Sequence, residues 1–248
     1  MRLAELNYTR LSPILPTLPG PQDRFYTAPR AIEYWYRGSN TMNPLKTATG
    51  TLISGLVLAI IIALLTELNY PSEGSMRNAI TIWIHVAAGV TWIGLLYYFN
   101  FVQVQALGEA AGDEGGPGGA AITKYVAPRA LLWFRWAALA TWLSGAFYLM
   151  VNSNLINVFT LGANASENSL GPSYGLTLGL GAWMGTVMLF NVWILIWPNQ
   201  KKILGMVEAT AEQIASAKTI ALMASRTNTL LSIPMLMSMI GAHHGFPL

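Results

Sequence analysis

The run Gly55 to Leu65, GLVLAIIIALL, contains no polar side chain. With its flanks it extends from Thr49 to Leu68. A helix rises about 1.5 Å per residue, so roughly 20 such residues cross the ~30 Å hydrocarbon core of a bilayer. Four further stretches pass the same test: Ala79 to Val102, Ala130 to Val151, Leu176 to Trp197 and Thr219 to Ala242. Composition agrees, since Asp, Glu, Lys and Arg make up 10% of the chain and hydrophobic residues 53%, where a soluble domain carries about 25% charge. The mean hydropathy is +0.44. The 248-residue chain therefore reads as an all-α integral membrane bundle of about five transmembrane helices. A soluble enzyme and a disordered protein are both excluded by a chain whose solvent is largely lipid.

Ahead of the first span lies an extended, Pro-rich N-terminal arm, residues 1–47, with Pro13, Pro16, Pro19 and Pro21 close together. It is too polar for a cleaved signal peptide. Residues 48–248 form the transmembrane domain. An arm of this kind is commonly held in place by a neighbour, which points to other membrane subunits as partners. Orientation follows from Lys and Arg in the connections. Arg2, Arg10, Arg24, Arg30, Arg37 and Lys46 precede the first span; Arg77 alone lies in the first connection; Lys124 and Arg129 lie in the second, with Arg135 close by. The third has none, and the fourth has Lys201 and Lys202 with Lys218 at its edge. The alternation predicts a multi-pass protein with a cytoplasmic N-terminus and its C-terminus on the far side. The net charge of +3 includes no Lys/Arg run that would suggest nucleic acid.

The absence of cysteine excludes disulfides, iron–sulfur clusters, thiolate zinc and covalently attached c-type haem. Histidine remains as the metal ligand. His85 lies in the first turns of the second span, and His243 and His244 at the end of the fifth, so all three fall at one depth. Imidazoles on two helices of a bundle are the usual ligands of a b-type haem. On the face of His85, Ala88 and Gly89 leave room for a flat macrocycle and Trp92 continues that face. A plainer reading is equally open: His85 hydrogen-bonds a neighbouring helix, and His243 and His244 are interfacial tail residues.

Arg226 lies about two turns into the fifth span, and spans two to five contain no Asp or Glu to pair with it. It must meet an anion, carbonyls or water, or snorkel to the interface. A haem propionate, an anionic substrate and a lipid phosphate are the candidate anions. Arg135, Asn191 and Asn228 should share its half of the membrane as a possible anion-binding or polar cluster. Pro234 removes a donor to the Leu230 carbonyl and should kink the fifth helix. The pairs Gly175 and Gly179, then Gly181 and Gly185, are small-xxx-small faces for close helix contact.

Four strings together resemble the membrane domain of the bacterial urate hydroxylase family, the membrane-bound urate oxidases that often carry a C-terminal cytochrome c. They are His85 with Trp92-Ile93-Gly94 and Tyr98-Phe99; Thr141-Trp142-Leu143-Ser144-Gly145; Gly181-Ala182 with Gly185-Thr186, Met188, Asn191-Val192 and Pro198-Asn199-Gln200; and Arg226, Asn228, Pro234, Met239-Ile240 and His243. The resemblance spans about residues 79 to 245. It implies a bacterial inner (plasma) membrane oxidoreductase lineage and makes His85 and His243 the matching histidines. The chain departs from the family in having no Cys-x-x-Cys-His, in having Gly179 and Gln103 where the family pattern has His and Asp, and in lacking some of its spans. Electron flow would need a separate acceptor such as a cytochrome c.

Two functions follow. In the first, the chain is a haem b-binding oxidoreductase or electron-transfer subunit, a short urate hydroxylase-like form, with His85 and His243 on the iron, Trp92 and Arg226 among the cofactor-binding residues, and a partner cytochrome or quinone. In the second, it is a non-catalytic accessory or structural subunit of a larger membrane complex, packing by its glycine faces and its arm.

Overall fold

A computed structural model describes residues 43–65 and 73–245. The chain divides into two units, Met1–Asn69 and Tyr70–Leu248, each considered by itself. Most of the arm, the last residues of the first expected span and the extreme C-terminus lie outside the described residues.

In the first unit a 3-10 turn, Pro44–Lys46, leads into helix α1, Ala48–Leu65. The Asn43 side chain accepts from the Leu45 N–H at 2.9 Å, and the Thr47 hydroxyl accepts from the Gly50 N–H at 3.0 Å. Two backbone donors that the first helical turn cannot satisfy are thereby paired. No residue of α1 is buried. Apolar on every side, it suits hydrocarbon, whereas in water the same surface would drive association.

The second unit begins with α2, Glu73–Tyr97, continued by a π-helical stretch, Tyr98–Gln103, and by α3, Val104–Gly112. A second π-helical stretch, Ile122–Val126, opens α4, Ala127–Val151, and the short α5, Leu155–Phe159, follows. Helix α6, Pro172–Phe190, runs through π-helical Asn191–Ile196 into α7, Trp197–Ile203, and α8, Ala211–His244, completes the unit. The described residues contain no strand. All five expected spans are helical, with ends that differ by a few residues. Among the described residues three helices are long and apolar enough to cross a membrane: Ala48–Leu65, Met76–Gly112 and Pro172–Ile203. Helices α4 and α8 have the length, but Arg129 and Arg135 in one, and Arg226 with many Ser and Thr in the other, reduce their apolarity. The count of five is therefore approximate.

Two antiparallel pairs make up the bundle. Helix α2 lies along α4, with Asn78 and Asn152 exchanging amide hydrogen bonds at 2.9 and 3.1 Å at one end. Toward the other end Phe99 meets Phe134 edge-on at 5.4 Å. Helix α6 lies along α8, where a Cβ on Gly181 would stand 3.0 Å from the Ser238 Cβ and 3.3 Å from the Met235 carbonyl oxygen. A Cβ on Gly179 would run into the Val158 carbonyl of α5. Gly175, Gly179 and Gly181 are thus occupied from within the chain, because only a hydrogen in place of a side chain allows such an approach, whereas a Cβ on Gly185 would meet nothing within 4 Å. Trp92, Leu96, Phe134, Ala138, Met188 and Val192 join the two pairs in one core. Helix α8 starts with a reciprocal capping box between Thr210 and Gln213.

Candidate functional site

His85 projects from α2 onto α4. Its Nδ1 lies 2.8 Å from the Thr141 carbonyl oxygen, with the Ser144 hydroxyl at 3.5 Å. Because a carbonyl only accepts, Nδ1 carries the proton, and the neutral ring presents an unprotonated Nε2. Thr141 is available because its own hydroxyl turns back to the Ala137 carbonyl at 2.7 Å, and Ser144 likewise donates to the Ala140 carbonyl at 2.7 Å. The ring brings its Cε1–Nδ1 edge against α4 at Gly145, where a Cβ would stand 2.9 Å from Cε1. Any larger residue at 145 would displace the imidazole. The bond to a neighbouring helix that the plainer reading expects is therefore present, and it uses one ring nitrogen. Nε2 has no hydrogen-bond partner among the described residues.

On the same face, one and two turns farther along, are Ala88, Gly89 and Trp92. A Cβ on Gly89 would meet only the Thr141 methyl, at 3.7 Å. Trp92 is 2% exposed, and its indole N–H has no partner. Burying a donor unpaired costs about 1–3 kcal/mol, so such a group marks either a constraint or a missing acceptor.

His243 is exposed near the end of α8, and Tyr174 of α6 meets its ring edge-on at 5.4 Å. The Tyr174 hydroxyl is buried without a partner. Tyr148 of α4, one turn beyond Ser144, packs on the cluster that contains Tyr174. Tyr97 shares a 3.0 Å hydrogen bond with Ser232, and Asn100 donates to Ser225 at 2.8 Å. These contacts set α2 antiparallel to α8. Twelve residues back from Tyr97 is His85 and twelve on from Ser232 is His244, so the histidines stand at one end of the bundle, His85 turned to α4 and His243 to α6. His244 is exposed.

The remaining expected site residues lie elsewhere. Helix α8 is continuous, and the seventeen residues between Arg226 and His243 correspond to about 25 Å. A cofactor on His243 and the Arg226 guanidinium therefore belong to opposite halves of the bundle. Arg135 stacks on Trp197 at 3.8 Å from the ring centroid and reaches back to the Leu131 carbonyl at 3.4 Å. Asn191 donates to the Asn228 Oδ1 at 2.8 Å, and Asn228 donates to the Met188 carbonyl at 3.0 Å. The two asparagines form a buried pair, and Arg135 has its own aromatic partner.

Residues 153–248 match the model of a family described as urate oxidase N-terminal. Over that segment the chain is similar to the urate oxidase N-terminal family. No curated protein and no solved structure matches the chain. The urate oxidase N-terminal segment covers α5 to α8, with Asn191, Arg226, Asn228 and His243, while His85, Trp92 and Arg135 precede it.

Within the urate oxidase N-terminal segment, Asn157 and Tyr174 are polar residues whose placement sequence reasoning missed. Asn157 donates to the Gly171 carbonyl at 3.0 Å, but its Oδ1, packed on Gly175, is buried without a partner. Pro172 opening the helix and Gly175 one turn in hinted at a close approach there. Nothing in the sequence pointed to the hydroxyl of Tyr174.

Proposed function

We propose that this chain is a membrane-embedded, b-haem-binding electron-transfer subunit of a urate hydroxylase-like oxidoreductase, with His85 and His243 as the iron ligands. One observation carries the reading: His85 uses Nδ1 on a backbone carbonyl and keeps Nε2 free. Ligating histidines are held in this way, since the second-shell acceptor fixes both the tautomer and the ring plane. Small residues and unpaired donors beside the two histidines support the reading. Ala88 and Gly89 add little bulk beside the imidazole, and the unpaired Trp92 N–H, about 10 Å along the helix, is a donor for a polar edge. The unpaired Tyr174 hydroxyl offers the same beside His243.

A b haem held here would supply a one-electron carrier. The chain's own residues hold and orient it: Thr141 fixes the His85 ring, Gly145 admits that ring against α4, and the apolar helices exclude water. Urate oxidation removes two electrons, so turnover needs a second acceptor close by, a cytochrome c or a quinone in another subunit. The chain alone therefore should not oxidise urate. The Lys/Arg alternation supports a cytoplasmic N-terminus and a periplasmic C-terminus in a bacterial inner membrane. An accessory role resting on the glycine faces has less support, because Gly175, Gly179 and Gly181 are filled internally and only Gly185 is left open. The pyridine haemochrome spectrum of the purified full chain tests the proposal: about one haem b per chain is expected, and no stoichiometric haem would leave a structural subunit.

A further inference from the structure

A groove of about 340 Å³ opens between α8 and the π-helical continuation of α2, lined by Asn100, Phe101, Gln105, Arg226, Leu230 and Ile233 among others. Its lining is graded. Gln105 and Arg226 lie nearest the end of the bundle that carries Lys124, Arg129, Lys201 and Lys202, while Phe101, Leu230 and Ile233 lie one to two turns deeper. Asn100 stands between, its amide N–H groups donating to the Leu96 carbonyl and to Ser225, both at 2.8 Å. Its amide oxygen remains as an acceptor.

Arg226 faces outward in this groove and forms no ion pair or hydrogen bond among the described residues. From residue 74 to 108, and in α8 beyond Glu212, there is no acidic side chain, and the first carboxylate along α3 is the exposed Glu109, one turn beyond Gln105. Glu212 is fourteen residues away, about 21 Å along the helix. A guanidinium on the lipid-facing side of a membrane helix, with no carboxylate among the residues lining its groove, is compensated by water at the interface or by an anion from outside the chain, and the groove has room for the second. The anion must be amphiphilic, because cation and amide lie at the interfacial end and hydrocarbon surface continues directly inward. Arginine also presents the planar donor fork that pairs with phosphate oxygens.

We propose that this groove is a binding site for an acidic phospholipid, with Arg226 and Gln105 on the headgroup phosphate and Phe101, Leu230 and Ile233 along the first part of an acyl chain. The site is independent of the haem proposal, being at the opposite end of the bundle.

The test is native mass spectrometry of the detergent-solubilised full chain, titrated separately with phosphatidylglycerol, phosphatidylcholine and inorganic phosphate. Wild type should retain phosphatidylglycerol about fivefold more tightly than Arg226→Gln, the effect of one cation at a membrane surface. Phosphatidylcholine, whose choline cation offsets its phosphate, should show a smaller difference between the two. Arg226→Lys should keep most of the preference, and Leu230→Ser should weaken phosphatidylglycerol binding without affecting phosphate. An unchanged preference for phosphatidylglycerol in a folded Arg226→Gln variant would overturn the proposal. So would displacement of the lipid by equimolar inorganic phosphate, which would identify a soluble anion as the ligand.

Discussion

The seam between α2 and α4 and the seam between α6 and α8 both bury polar side chains, but they dispose of them differently. Asn191 and Asn228 pair with each other and with the Met188 carbonyl, and the helices around them close over glycine. In the other seam His85 satisfies one nitrogen and leaves the second, and Trp92 keeps an unpaired indole N–H. A satisfied buried polar pair specifies packing. A partly satisfied one carries a cost that a bound group would remove; the α6 side also keeps such groups, at Asn157, Tyr174 and Trp193, so what distinguishes the α2/α4 seam is the imidazole of His85 with one nitrogen left over.

Closing the α6/α8 half too tightly should produce the largest effect. In Gly179→Leu the new side chain would meet the Val158 carbonyl, and overpacking against backbone costs about 3 kcal/mol. Thermal unfolding in detergent micelles should show a clear loss, whereas Gly89→Ala in the open part of the other seam should shift it little. Asn228→Ala should follow at about 2 kcal/mol, since it strands the buried side-chain amide of Asn191. An effect no larger than that of Asn78→Ala, whose partner Asn152 is only half buried, would erase the contrast between the seams. Removing the cap with Thr210→Ala should cost about 1 kcal/mol, seen as faster amide exchange in the first turn of α8.

The smallest effect concerns pH at that same cap. The Glu212 carboxyl is held below the usual carboxylate range by its own backbone N–H and then by the Thr210 hydroxyl. With the folded value depressed, its contribution is present above the ordinary carboxylate range and lost as pH falls through the lowered value. Protection of the first turn of α8 should therefore fall in acid. In Thr210→Ala that fall should begin at higher pH, and an unchanged onset would remove the hydroxyl from the account.

The helices were legible because lipid imposes a length and an apolarity that Gly55 to Leu65 and its counterparts display directly. Gly179 and Gly181 were legible as packing residues, since their spacing places both on one helix. The sequence did not show which partner each would meet: Gly179 packs on α5, which was not expected at all. The π-helical stretches were hidden too, because one extra residue per turn leaves no mark on composition. His85 could be singled out as rare, but its acceptor is the Thr141 main chain, and a backbone carbonyl has no sequence signature. Arg226 and His243 were assigned to one site on chemical type, whereas the distance along a continuous α8 separates them.

The most direct test of the account is the low-spin haem absorbance of the full chain purified with its native haem complement, compared among single variants of equal helicity. His85→Ala and His243→Ala should each abolish it, and His244→Ala should leave it largely intact. Full absorbance in both of the first two variants would contradict the assignment, and His85 would then be a packing residue whose role ends at the Thr141 carbonyl.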